Sequence, residues 1–348
     1  MSKTMSARVL IQKFQRPLIL LVLVVVLTLL QPDAFATVSN FKSIFLAISI
    51  YGVMVSGSIF TILLGGIDLA VGAVAALSGA CTVLTIIAFN YSDIGVILGI
   101  LAGLLAGCFV GLMHGVIISK FRVPAFLITV ATMNIVYGAA ELLTGNQTIN
   151  IISPASFTFV GGGQLFGIPF PIYIVALMAF LSFIILNMTV FGRQVYATGG
   201  NPVAASLSGV PVFRTTCAAY IISGFTAAAA GIVLASMNQQ AISKAAQGYE
   251  NDVLTAIVVG GTSLMGGEGS IQGAIFGALL VGILNNGLRL MGVSSIYHTL
   301  VKGIIIIIAV SFDFYSRNRN SGLLRTGRLR LWMARQVAIL MKEEKHQP

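Results

Sequence analysis

The chain has 348 residues, 57% of them apolar and only 9% charged, with a mean hydropathy of +0.97. That balance excludes a water-soluble core wrapped in a polar surface. Apolar stretches near twenty residues recur throughout, rich in Gly and Ala, and in hydrocarbon such backbone satisfies itself as helices rather than barrel strands. The net charge of +10 does not indicate a nucleic-acid partner, because the cations cluster in the N-terminal segment, two short loops and the C-terminal tail, the positive-inside pattern of a membrane protein.

Residues 1–16 form a basic N-terminal segment with Lys3, Arg8, Lys13 and Arg16. The first apolar run, Pro17 to Leu30, precedes Ala34-Phe35-Ala36 and so mimics a secretory signal with its cleavage site. The many spans that follow favour a retained first helix. Spans are predicted at about 17–31, 43–64, 69–89, 94–118, 124–144, 168–190, 214–236, 251–264, 270–290 and 296–313. The expected fold is all-α: about ten transmembrane helices over 17–313, one of them broken or re-entrant, with both termini cytoplasmic. Sixteen of the twenty Lys and Arg residues then lie inside, and only Lys42, Lys244, Arg289 and Lys302 fall on or near the outer side. Removing one span would move either the tail or the loop 191–215 to the wrong face.

A glycine pair interrupts the pattern after the second span, in Leu64-Gly65-Gly66-Ile67-Asp68-Leu69-Ala70-Val71-Gly72. Asp68 beside this break is either functional or a cap for a helix beginning at Leu69. The fourth span carries Gly95, Gly99, Gly103, Gly107, Gly111 and Gly115, a ridge without side chains along which other helices can approach backbone to backbone. Gly273 and Gly277 repeat the motif in the ninth span. Cys81, Cys108 and Cys217 lie in apolar runs without metal-ligand spacing and read as small packing residues. The segment 145–167 is polar, predicted to be periplasmic, and long enough for a short helix or a gate.

The loop 191–215 contains a short helix with both ends written out. Asn201 is its N-cap, Pro202 its first residue, and Gly209 supplies the left-handed position past its end. Two turns are unstable alone, and the small side chains Ala204, Ala205, Ser206 and Ser208 around the single large Leu207 suit a helix pressed into another protein's groove. An ordinary capped connector satisfies the same pattern.

The second break is Val259-Gly260-Gly261-Thr262-Ser263-Leu264-Met265-Gly266-Gly267-Glu268-Gly269-Ser270. The apolar stretch before it, from Val253, is too short to cross ~30 Å of hydrocarbon as a helix. Non-helical backbone at membrane depth persists only where protein or a water-filled cavity covers it, so Gly65, Gly66, Gly260 and Gly261 mark a pathway. The tail 314–348 places Leu329, Trp332, Met333, Val337, Leu340 and Met341 at helical spacing among arginines, as an amphipathic helix on anionic membrane lipids would.

No phosphate loop of the G-x-x-x-x-G-K-[ST] type occurs, and no H-E-x-x-H motif, paired catalytic carboxylates or nucleophile elbow. The chain is therefore not expected to hydrolyse ATP, to act as an enzyme, or to bind a metal or cofactor of its own. Asp68, His114, Glu141, Glu268, Arg289, Lys302 and Asp313 lie in or beside apolar spans, where a charge needs a partner or water. Glu141 is the only carboxylate placed away from a break or a helix end, and an ion-coupled carrier would need such a group.

The motifs Gly65 to Gly72, Val123-Pro124-Ala125-Phe126-Leu127-Ile128-Thr129-Val130-Ala131-Thr132-Met133, Gly192-Arg193-Gln194-Val195-Tyr196-Ala197-Thr198-Gly199-Gly200-Asn201 and Gly260 to Gly277 resemble the permease subunits of bacterial ABC importers for ribose and other monosaccharides. The similarity covers about residues 15 to 315. It implies an inner-membrane dimer with an identical or paralogous second permease subunit, two cytoplasmic ATPase subunits that bind the ATP, and a periplasmic sugar-binding protein. It also implies that 201–209 is the helix that couples to the ATPase, since Ala204-Ala205-x-x-x-Gly209 matches the E-A-A-x-x-x-G core of such loops; Val203 stands in place of the glutamate. A path for a neutral sugar should offer neutral polar groups, and Thr132, Asn134, Asn285 and Asn286 are candidates beside Asp68; for any single one, an interhelical hydrogen bond is the simpler reading. The rival readings are a gradient-driven carrier and an intramembrane enzyme or lipid-binding scaffold.

Overall fold

The computed structural model describes residues 20–152, 154–294, 297, 300, 302–307 and 311. After a shorter apolar helix α1 (Leu20–Leu30) and a single turn α2 (Pro32–Phe35), seven helices are long and apolar enough to cross a membrane. They are α3 (Val38–Leu63), α4 (Val71–Ala88), α5 (Asp93–Phe121), α6 (Ala125–Thr144), α8 (Phe170–Met188), α11 (Val212–Asn238) and α13 (Ile271–Leu290). Between them lie the short helices α7 (Ala155–Gly162), α9 (Val190–Gly200), α10 (Pro202–Leu207) and α12 (Tyr249–Val259). The protein is a polytopic all-α membrane protein. Among the described residues, seven helices rather than ten have full crossing length. The eighth expected span is α12, whose 11 residues reach ~16 Å, half a bilayer core. Half of the tenth lies outside the described residues, and the segment 1–16, Asp313 and the tail 314–348 lie wholly outside them.

The chain divides into Met1–Lys302 and Gly303–Pro348. In the first unit α3 is central: 89% of its most apolar stretch is buried, against 17% for α8. Helix α11 packs along α5, α3 and α4, and α13 packs on α12 and α3. Hydroxyls in these helices bond their own backbone one turn back, Ser56 Oγ to Gly52 O at 2.7 Å and Thr82 Oγ1 to Ser78 O at 2.8 Å, which lets them sit in an apolar environment. Phe35, from the tripeptide resembling a cleavage site, is buried in a cluster with Leu27, Ile44, Ile48 and Ile283.

The glycine ridge of α5 is a contact surface along its whole length. A side chain at Gly99 or Gly103 would meet α4 at Thr82, and one at Gly107, Gly111 or Gly115 would meet the backbone or Cα of Gly224, Tyr220 or Cys217 on α11. Helix α11 supplies Gly224 opposite Gly107, a match the sequence reading missed. Gly111→Leu is accordingly expected to cost about 3 kcal/mol, the upper part of the overpacking range, because the obstructing atoms are backbone. Gly138→Leu on α6, where a Cβ would meet nothing within 4 Å, is the control. Size-exclusion profiles of the two variants check this: the first should be lost or aggregated, the second monodisperse.

Near the C-terminal end of α11, the described residues of 145–167 form short strand pairings and a short helix. Strand β1 (Ile149–Asn150) pairs antiparallel with β4 (Gln240–Ala241), Ile149 opposite Ala241. Strands β2 (Gln164–Leu165) and β3 (Ile168–Pro169) form a hairpin. Phe157 of α7 is fully buried, and the Gly161 N–H donates to Ser236 Oγ at 2.8 Å. The expected short helix is present.

Candidate coupling and translocation site

The residues before Asn201 form helix rather than loop. Thr189 caps α9 by accepting the Gly192 N–H at 3.2 Å, and the helix runs to Gly200. Asn201 then starts α10, its Oδ1 accepting the Val203 and Ala204 N–H groups at 3.0 Å each. Pro202 is the first helical residue, and Gly209 closes the end at φ +84°. Val203 and Leu207 are 69% and 86% exposed, whereas Ala205 is buried against its own chain. Val203 and Leu207 are the large apolar side chains on its exposed side, where both border the cavity between α10 and the starts of α6 and α11, and Ala205 serves to seat the helix.

What α10 is rooted on could not be read from spacing. Leu63, the last residue of α3, offers its carbonyl to the Gly267 N–H at 2.8 Å, so the two glycine breaks touch. The C-terminal turn of α9 enters the same junction: a side chain on Gly199 would collide with Leu63 O and Gly267 N, and one on Gly266 with Gly65 N, Leu63 O and Gly199 O. Tyr196 Oη donates to Gly269 O at 3.0 Å. Gly65, Gly261, Gly266 and Gly267 all have φ between +76° and +85°, a region that L side chains rarely adopt. Three segments thus meet backbone to backbone, immediately before the exposed helix. Gly260 is used differently: it packs on Gly273, and Gly277 on Ala256, locking α12 against α13.

Asp68 lies in the unwound stretch between α3 and α4, but it does not cap a helix starting at Leu69. Helix α4 starts at Val71. Asp68 Oδ1 accepts the Ala70 N–H at 3.1 Å, and Oδ2 accepts from Ser223 Oγ at 2.8 Å. His114 Nδ1 is 3.9 Å from Oδ1, and the His114 ring stands edge-on to Tyr220. Ser223 is eleven residues into α11, ~16 Å along the axis from its start. Thr129 on α6 also holds it, Oγ1 donating to Ile67 O at 3.0 Å.

The other expected pathway residues do not converge here. Asn285 Nδ2 donates to Asp252 Oδ1 at 3.2 Å, and Asn286 Nδ2 to Asn40 Oδ1 at 2.8 Å, both buried interhelical bonds. Thr132 is buried on α6, and exposed Asn134 bonds Val130 O on its own helix. Glu141 is not remote from a helix end: it lies in the last turn of α6, and its Oε1 pairs with Lys244 at 2.6 Å. Two carboxylates escaped the sequence reading. Asp252 is buried and paired with Lys302 at 2.7 Å. Glu250, also buried, accepts the Gly248 N–H and occupies the space a side chain on Gly72 would need. Both stand in the first turn of α12, where the helix dipole favours anions; acidic residues just after Gly248 were the available signal.

Between α10 and the starts of α6 and α11 lies a cavity of about 730 Å³, bordered by Gly65 and Gly66 of the first break. Among the described residues no cluster of His, Cys, Asp or Glu is arranged to hold a metal.

A family described as "Branched-chain amino acid transport system / permease component" matches residues 40–310. The chain belongs to this permease family. The permease is 40% identical over 295 residues to the ribose import permease protein RbsC of Bacillus subtilis, covering 84% of this chain and 90% of the relative. It is 37% identical over 297 residues to the ribose import permease protein RbsC of Escherichia coli strain K12, covering 84% and 91%. It is 38% identical over 283 residues to the L-arabinose transport system permease protein AraH of the same strain, covering 81% and 85%. No solved structure matches the permease. As a member of this family it is a transport subunit and not an enzyme; ATP hydrolysis belongs to a separate subunit.

Proposed function

We propose that the permease carries a monosaccharide, a pentose in the first instance, across the bacterial inner membrane as the membrane subunit of an ATP-driven importer. A cytoplasmic ATPase docks on Val203 and Leu207, a second permease subunit completes the path, and a periplasmic sugar-binding protein delivers substrate at the 145–167 end. The observation that carries this reading is the exposed, doubly capped α10, joined through Gly199 to both glycine breaks. A push on α10 reaches the non-helical backbone of both glycine breaks within one helical turn. The sugar relatives favour a neutral cargo over an amino acid. The ion-coupled alternative gains nothing from Glu141, which is salt-bridged at a helix end.

Cells producing the permease with its ATPase are expected to accumulate labelled ribose or arabinose and to stop when the ATPase is removed. Uptake that survives without the ATPase and collapses with the ion gradient overturns the reading. For orientation, with Cys81, Cys108 and Cys217 replaced by Ala, Phe166→Cys at the 90% exposed hairpin tip should react with an impermeant maleimide from outside. Leu207→Cys should react only after lysis; the reverse pattern inverts the proposed topology.

A further inference from the structure

Helix α6 exposes a face that lipid would cover badly. Helical periodicity places Leu127, Ala131, Asn134, Ile135, Gly138 and Leu142 on one side, and all are exposed except Gly138, where a Cβ would meet nothing within 4 Å. Asn134 is the tenth of the 20 residues of α6. Twenty residues reach ~30 Å, the thickness of the hydrocarbon core, so Asn134 stands near its middle. Its Nδ2 donates to Val130 O one turn back at 3.1 Å, which leaves the second N–H and Oδ1 without a partner among the described residues. A polar group so placed is costly against lipid tails and calls for a partner. No other crossing helix exposes a polar side chain in its central third among the described residues. Helix α5 fills its exposed face with Leu101, Leu105 and Phe109, and α8 with Leu177, Phe180 and Leu181, as helices against lipid do.

Ala131 and Gly138, one turn before and one turn after the amide, leave room for another helix to come close at that level. A carboxamide is donor and acceptor at once, so an identical amide across a two-fold axis satisfies both of its free groups. Self-complementarity of this kind singles out a copy of the same chain, because an apolar helix or a lipid tail would leave the amide unpaired. We propose that a second copy of this chain packs on this face, α6 against α6, with the two Asn134 amides hydrogen-bonded to each other across the axis. The proposal rests on the transport reading, which calls for a second subunit, and names the surface that subunit occupies. Pro124 and Ala125, where the same helix begins, border the cavity beneath α10, so the interface runs from the middle of α6 toward the coupling helix.

The test uses the full-length chain in membrane vesicles, with Cys81, Cys108 and Cys217 replaced by Ala. Oxidation with copper phenanthroline is expected to link Ala131→Cys to the same position of a second copy, giving a disulfide dimer on a non-reducing gel, and to leave Leu105→Cys on α5 monomeric. Adding Asn134→Val or Gly138→Leu to Ala131→Cys should lower the linked fraction severalfold at unchanged melting temperature, since both positions are open in the single subunit. Three results overturn the proposal: no dimer through position 131, as much dimer through position 105, or a dimer indifferent to both added substitutions. The first leaves the face to lipid, the second to chance collision, and the third to a contact that does not use the amides. ATP-driven uptake is measured on the unoxidised vesicles. Uptake that persists without a dimer through position 131 removes this interface and keeps the transport reading, so the two fail separately.

Discussion

Leu207→Asp is expected to yield a correctly inserted permease that neither retains its ATPase on purification nor supports uptake. Leu207 is 86% exposed on a six-residue helix whose caps do not involve its side chain, so the substitution should change the stability of the isolated subunit by no more than about 0.5 kcal/mol. In a docked complex the same carboxylate would be buried in an apolar groove without a partner, at about 3 kcal/mol or more, a loss of assembly on the order of a hundredfold. Ala205→Asp reads differently. Ala205 faces its own chain, so a charge there would unseat α10 and confound docking with local unfolding. Co-purification of the ATPase, measured alongside uptake, decides the matter: a Leu207→Asp subunit that keeps both would reduce α10 to a connector between α9 and α11.

The second large effect is expected one turn away. Gly199→Leu should abolish uptake while leaving the outward face of α10 intact, because its Cβ would enter the space of Leu63 O and Gly267 N, which are themselves hydrogen-bonded at 2.8 Å. Neither atom is the end of a flexible side chain, so relief requires separating the two breaks, and the cost is about 3 kcal/mol with at least one backbone bond lost. Gly200→Leu provides the comparison, since a Cβ there meets nothing within 4 Å. The informative result is ATPase retained and uptake lost at position 199, with both retained at position 200. Equal behaviour of the two variants would mean that motion of α10 does not pass through the glycine junction.

The features legible in the amino-acid sequence are those fixed by local chemistry. Hydropathy marks the spans because each crossing must be apolar whatever surrounds it. Asn201, Pro202 and Gly209 announce α10 because a cap, a fixed φ and a left-handed residue act within one turn. The four-residue spacing of Gly95 to Gly115 announces a ridge because all six glycines fall on one stripe of α5. The tertiary structure alone decided what those features touch. The contact of Leu63 with Gly267 joins residues about two hundred positions apart, and Asp252 finds Lys302 fifty positions away. Asn285 and Asn286 are named in sequence as pathway candidates whose simpler role is packing, and only the structure shows their partners, Asp252 and Asn40. Ala205 and Leu207, both apolar and two residues apart, face opposite ways because one side of α10 rests on the subunit and the other does not. Hydropathy, caps and φ act over a few residues, whereas which atoms a helix rests on depends on how distant segments dock, and a linear pattern does not carry that.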